Sequence, residues 1–274
     1  MRILRAKAVL IILLIGSRLP VSAQQEIARA EQAFSNMSAD SGARTAFLHF
    51  LDSNSLLFHE GKGFDGLRFW RGVPGGGNGQ LVWKPVYTGM SSSGDLGFST
   101  GPFEQRDAPG GNAQVGGSYT SIWVKNKQGE WKVIVDMGAR YDHSLYQQPW
   151  EQLVYSKLSP VAGKINWQQQ EQELITRLHQ KGYQAFLPYL TSDSWFNLLG
   201  YQPFHTIKDI EAGLKQLPAG LQFEPMGGAI SAAGDMYYAY GTVTLHDKKE
   251  NYLRVWGHEK DGWKLLLQVL KWAN

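Results

Sequence analysis

Gly94-Asp95-Leu96-Gly97-Phe98-Ser99-Thr100-Gly101 reads as a turn running into a strand, and 140 residues later the same pattern returns as Gly234-Asp235-Met236-Tyr237-Tyr238-Ala239-Tyr240-Gly241. An echo at a fixed offset means that one structural unit is used twice. The echo extends upstream: Leu81-Val82-Trp83-Lys84-Pro85 matches Leu221-Gln222-Phe223-Glu224-Pro225, and Ala46-Phe47-Leu48-His49-Phe50-Leu51 matches Ala185-Phe186-Leu187-Pro188-Tyr189-Leu190. Downstream, Tyr119-Thr120-Ser121-Ile122-Trp123 matches Tyr252-Leu253-Arg254-Val255-Trp256, and Gly129-Glu130-Trp131-Lys132 matches Gly262-Trp263-Lys264. The offset there falls to 133, which puts a longer loop in the first copy, in the Gly-rich stretch 107–117.

Within each copy the apolar period changes from helix to strand. Ile27, Ala30, Phe34 and Met37 recur at three and four, one face of an amphipathic helix, and Leu174 and Leu178 do the same in the second copy, followed by Phe186. Later segments alternate: Trp131, Val133 and Val135 are expected on one face of a strand, with Lys132, Ile134 and Asp136 on the other. Lys127-Gln128-Gly129-Glu130 and Lys260-Asp261-Gly262 read as the turns of closing hairpins. The order per copy is helix, helix, strand, short helix, four strands, an α+β pattern.

The N-terminus carries Arg2, Arg5 and Lys7, an apolar run from Ala8 to Ile15, and the small-residue ending Val21-Ser22-Ala23. This predicts a secretory leader, 1–23, cleaved after Ala23, and hence a periplasmic or secreted protein with no stable membrane insertion after cleavage. The chain has no Cys, so disulfide and thiolate chemistry are excluded. Four of the 27 basic residues and none of the 24 acidic ones lie in the leader, leaving a formal charge of −1 on the remainder. That balance gives no electrostatic footprint for nucleic acid. The ten Trp exceed what a plain core needs and point to an aromatic-lined cavity or a large internal interface.

The paired helices, the strand ending Phe58-His59-Glu60-Gly61, the short helix from Asp65 to Arg71, the Gly-Asp-Leu-Gly-Phe strand at 94–98 and the Tyr119…Trp123…Gly129-Glu130-Trp131-Lys132 hairpin together resemble the nuclear transport factor 2-like superfamily, nearest its SnoaL-like and uncharacterised secreted branches. The resemblance covers nearly the whole chain after the leader. It implies two tandem cone-shaped domains, 24–145 and 164–274, joined by a linker at 146–163. In each, N-terminal helices would pack on a strongly bent, mostly antiparallel sheet with a pocket between them. Because relatives dimerise through the outer sheet face, it also implies that the two copies form an intramolecular pseudo-dimer. The superfold hosts isomerases, dehydratases, cyclases and non-catalytic binders, so it does not choose a function.

Relatives resembling ketosteroid isomerase place a general base near the end of the strand after the second helix, which makes His59 and Glu60 candidate catalytic residues; Leu198 and Leu199 stand at the aligned positions. The competing reading is a solvated loop. Asp136 is the other catalytic candidate, either a buried carboxyl with a raised pKa or a strand-end carboxylate paired with Arg140 or Lys132; Gln268 lies at the equivalent place in the second copy. Tyr87, Tyr119 and Trp123 are candidate ligand-lining residues in the first copy, and Tyr238, Tyr252 and Trp256 in the second, against the alternative that they are core or interface.

Gly75-Gly76-Gly77-Asn78-Gly79 lacks the spacing of a dinucleotide loop, no nucleophile elbow is present, and no two His sit three or four apart on a helix. Neither a cofactor nor a metal is expected. Three classes of function remain: a binder or scaffold for a small hydrophobic molecule, an isomerase-, dehydratase- or cyclase-type enzyme, and a protein-interaction module.

Overall fold

The computed structural model describes residues 25–77, 79–142, 146–161 and 165–272. The expected leader and its cleavage point lie outside the described residues, as does Gly163 at the end of the expected linker.

The chain opens with α1 (Gln25–Ser41) and α2 (Ala43–Phe50), then β1 (Leu51–His59), β2 (Lys62–Asp65) and the short α3 (Gly66–Gly72). Asp65 caps α3, its Oδ1 accepting the Arg68 N–H at 2.9 Å. Next come β3 (Gln80–Trp83), β4 (Tyr87–Met90), β5 (Leu96–Arg106), β6 (Ala113–Lys125) and β7 (Trp131–Tyr141). A short β8 (Leu153–Tyr155), within the stretch expected as a linker, pairs in parallel with β4. The second half repeats the order with α4 (Trp167–Lys181), a 3-10 helix (Gly182–Tyr189), β9 (Trp195–Leu198), α5 (Ile207–Leu214), β10 (Gln222–Ile230), β11 (Met236–Leu245), β12 (Lys248–Glu259) and β13 (Gly262–Leu270).

The two sheets share one topology. In the first, β1 runs parallel to β7, and β7, β6 and β5 form an antiparallel meander bordered by β3 and β4; in the second, β9 runs parallel to β13, which is joined in turn by β12, β11 and β10. The protein is thus α+β, with helices packed on one face of each bent sheet.

Each concave face closes over its own helices. In the first half Ile27 and Phe34 of α1 and Ala46 and Phe47 of α2 pack on Trp83, Trp123 and Val133. Ser35 and Ser38 tie α1 down by donating to the carbonyls of Trp83 (2.6 Å) and Leu81 (2.7 Å). In the second half Leu174, Ile175 and Phe186 pack on Tyr237, Tyr252 and Trp256. The convex faces meet each other: Phe98, Ile122, Val135 and Met137 share a core with Tyr238, Val255, Leu267 and Val269. Burying each such side chain contributes roughly 1.5–3 kcal/mol. Within this apolar seam Asn197 donates to the hydroxyls of Thr100 (2.9 Å) and Thr120 (3.2 Å), so its amide is paired across the halves.

The strict alternation expected along β7 does not hold. A bulge places Ile122 opposite Val135 but Trp123 opposite Val133, leaving Ile134 as the extra residue. Val133 therefore faces the helices while Val135 faces the seam, and Asp136 is separated from Ile134, which packs against the seam. The second half bulges at the matching point, with Val255 opposite Leu267 and Trp256 opposite Leu265. A bulge inserts one residue and re-aims the strand beyond it, here turning the next polar position toward the concave side.

Candidate functional site

α1 carries one charged residue on its buried stripe. Glu31 is fully buried between Ile27 and Phe34. Its Oε1 accepts the Trp83 indole N–H at 2.6 Å and its Oε2 accepts that of Trp123 at 2.8 Å. Burial pushes its carboxyl up to about 8, with the neighbouring Asp136 adding to the rise and the two indole donors opposing it. Asp136 on β7 accepts from the Ser121 hydroxyl at 3.2 Å, and burial raises it to about 7 against the pull of that hydrogen bond. Tyr119, opposite Gly138 on the same pair of strands, shares a 2.8 Å hydrogen bond with the Ser99 hydroxyl. Burial and the adjacent carboxyls Glu31 and Asp136 keep its phenol protonated far above the usual range.

The first concave face therefore holds two carboxyls and a phenol among aromatic rings. Asp136 makes neither of the ion pairs open to it from sequence, since Lys132 bonds Glu130 (3.6 Å) and the His49 carbonyl (3.0 Å) instead. Both carboxyls are held well above the usual carboxylate range, so the site can hold protons near neutral pH where ordinary carboxylates have lost them.

The second concave face solves the same burial differently. Glu171 on α4 stands 140 residues after Glu31 and is likewise fully buried, but it forms an ion pair with Arg254, which occupies the position of Ser121. The Arg254 Nε donates to Gln268 Oε1 at 2.8 Å, and Gln268 lies opposite Arg254 as Asp136 lies opposite Ser121. Arg254 is also sandwiched against Tyr252 and Phe223, 4.2 and 4.8 Å from the ring centroids. Tyr237 stacks on Trp256 at 5.8 Å where the first half has Gly97. Gly97 is required there, because a Cβ would come to 2.9 Å of the Gly89 carbonyl oxygen on the neighbouring strand as well as 2.5 Å of Ile27 Cδ1.

The other candidates are scattered. His59, the last residue of β1, and Glu60 in the turn after it have 71 and 77 % of their side chains exposed and lie 3.9 Å apart, so they do not converge with Asp136 on the concave face. Tyr119 and Trp123 belong to the first concave core, and Tyr252 and Trp256 to the second. Tyr87 and Tyr238 lie on the opposite faces of their strands, in the seam between the sheets, and line neither cone. Glu31, Glu171 and Arg254 were not singled out from sequence. The available signal was a Glu on the apolar stripe of each first helix, repeated at the offset of the whole repeat.

An α+β unit with helices packed in the hollow of a bent sheet is the class this geometry defines. No family model matches the chain, and no curated protein matches it. Solved structures do: an NTF-2-like protein of unknown function from Shewanella oneidensis MR-1 (15% identity, 42% of this chain and 96% of that one, TM-score 0.34) is similar to it. So are a protein with unknown function of the DUF3225 family from Pectobacterium atrosepticum (17% identity, 38% and 86%, TM-score 0.34) and a de novo designed protein with a curved β-sheet (10% identity, 38% and 97%, TM-score 0.34). At these scores they have no bearing on function.

Proposed function

We propose that the protein is an exported small-molecule-binding protein whose working site is the first concave face, built around Glu31, Asp136 and Tyr119. The reading includes a leader removed after Ala23 and two tandem copies, 24–145 and 164–274, of one SnoaL-like unit joined by 146–163. The copies associate as an intramolecular pseudo-dimer in which the second is a structural partner.

The observation that supports it is the contrast between the halves. Buried carboxyls without a counter-charge are costly, and replacing or neutralising them is the usual route to stability. The second half has that remedy in Arg254, whereas the first keeps Ser121 and Asp136 at the corresponding positions. Protonated Glu31 and the Tyr119 phenol are suited to the carbonyl or hydroxyl of a small, largely apolar ligand, with Trp83, Trp123 and Phe34 against its body. The same groups favour a second reading, an isomerase-, dehydratase- or cyclase-type enzyme, in which Asp136 takes a proton that Tyr119 or Glu31 returns elsewhere.

A thermal-shift screen of small apolar oxygenated compounds on wild type and Asp136→Asn tests the proposal. A ligand at a hundred times its dissociation constant stabilises by about 2.7 kcal/mol, several degrees for a chain of this size. The binding reading predicts a stabilising compound whose effect shrinks in Asp136→Asn; turnover of that compound, lost in the variant, would favour the enzyme. A compound that stabilises both proteins equally would overturn the assignment of the site.

A further inference from the structure

A cleft lies between the halves at the rim of the first concave face, where Gly138 and Arg140 follow Asp136 at alternate positions of β7 and Phe103 borders the concave core. β1 stays paired with β7 only up to Leu57 opposite Asp136, so β7 runs on from Met137 to Tyr141 without it. Among the described residues one backbone hydrogen bond from the second half reaches this free edge, from the Gly200 N–H to the Arg140 carbonyl at 2.8 Å. Between the end of β1 and this contact is a cleft of about 450 Å³, walled by Phe58, His59 and Phe103 from the first half and by Leu199 and the Glu250–Lys271 ion pair (3.1 Å) from the second. A groove of similar size continues past Arg140 along β6, and Arg140 and Leu199 line both.

Two features give the cleft a chemistry. Arg140 is exposed, and among the described residues its guanidinium makes no ion pair or hydrogen bond, whereas Lys271 is already paired with Glu250. Gly138 forms part of the lining although the fold does not ask for glycine there. Its φ is not positive, and a Cβ would meet only Ser118 O at 3.7 Å and Phe103 Cε1 at 3.8 Å, which is ordinary contact. A Cβ at 138 would therefore enter the cleft at ordinary contact distances.

We infer that this inter-half cleft binds a small organic carboxylate with an apolar or aromatic body. The carboxylate meets the Arg140 fork in charge-assisted hydrogen bonds, and the body lies over Gly138 against Phe58, Phe103 and Leu199. With Lys271 neutralised by Glu250, the free guanidinium leaves the cleft one positive charge in excess, which suits a monoanion.

The test is calorimetric titration of the purified protein with phenylacetate and with its neutral isostere phenylacetamide. Phenylacetate is expected to bind at one site, with the amide, lacking the charge, weaker by about tenfold or more. Arg140→Ala should weaken phenylacetate by a similar factor, and Arg140→Lys should recover part of the loss. Gly138→Val should abolish binding while leaving the melting temperature unchanged or higher, and Glu31→Gln should leave binding as it is, which separates this site from the concave one. Equal binding of acid and amide, undiminished binding in Arg140→Ala, or no heat with phenylacetate at millimolar concentration would each overturn the inference.

Discussion

Asp95 and Asp235 each accept a backbone N–H from the other's turn: Asp235 Oδ2 from Ser92 at 3.1 Å, and Asp95 Oδ2 from Ala232 at 2.9 Å. Their other oxygens accept the hydroxyls of Ser91 and Ser231 within their own turns, at 3.0 and 2.9 Å. The arrangement is reciprocal at the same 140-residue offset that the sequence shows, so the two turns clasp the seam together. Asp235→Ala strands the Ser92 N–H and the buried Ser231 hydroxyl, and should cost about 1–3 kcal/mol in urea unfolding. Asp95→Ala should cost less, being partly solvated, and the double variant should depart from additivity by about 0.5 kcal/mol or more because the two turns share one contact. Strict additivity would mean that the turns do not support each other.

The Gly-Asp turns were legible as a repeat, and with them the order of helices and strands, because turn chemistry and apolar period are local. The facing of β7 was not. The bulge at Ile134 depends on how β6 and β7 pair, and it reversed the side assigned to Val135 and Asp136. For the same reason Asp136 was identified as a candidate while its partner was missed. Glu31 and Asp136 are 105 positions apart in sequence, and only the closing of α1 over the sheet brings their charges together. The pairing of Glu171 with Arg254 was equally hidden, although Glu31 and Glu171 interrupt the apolar stripes of both helices at the repeat offset.

Arg254→Met removes the counter-charge from a fully buried Glu171 and should destabilise the second half by about 3–5 kcal/mol. Adding Glu171→Leu removes the stranded charge and should recover most of that loss, since an apolar pair of similar volume often matches a buried ion pair. Denaturant unfolding of the two variants reads the difference. A double variant no more stable than the single would show that the ion pair, rather than relief of a lone charge, holds α4 to the sheet.

His59 and Glu60 are so exposed that exchanging either for Ala removes no packing. Each variant should unfold within about 0.5 kcal/mol of wild type. Any compound whose binding depends on Asp136 should bind both variants as it binds wild type. Loss of that binding in His59→Ala alone would bring the end of β1 back into the site, against the geometry.

The acid pair makes stability depend on pH in a direction opposite to most carboxylates. Asp95 shows the ordinary case. Burial alone would push it up, but the Ser93, Ala232 and Ser91 donors outweigh that and hold it below the usual range, so its contribution is present near neutrality and lost in acid. Glu31 and Asp136 are raised, to about 8 and about 7, from ordinary values of 4.5 and 3.8. Between the unfolded and folded values the native state holds protons that the unfolded chain has released. Stability then falls as pH rises, by up to about 1.4 kcal/mol per unit for each group. Their stabilising effect is complete below about pH 4 and is gone above about pH 8, within the window those values set. Melting temperature should therefore decline from pH 5 to pH 8. Glu31→Gln keeps an uncharged group facing both indoles and should flatten that decline, leaving the smaller slope of Asp136; Asp136→Asn should flatten it from the other side, and the double variant should remove it. A wild-type melting temperature that is level or rising over this range would show that Glu31 is ionised in the folded protein, and the first concave face would then hold a fixed negative charge instead of a proton reservoir.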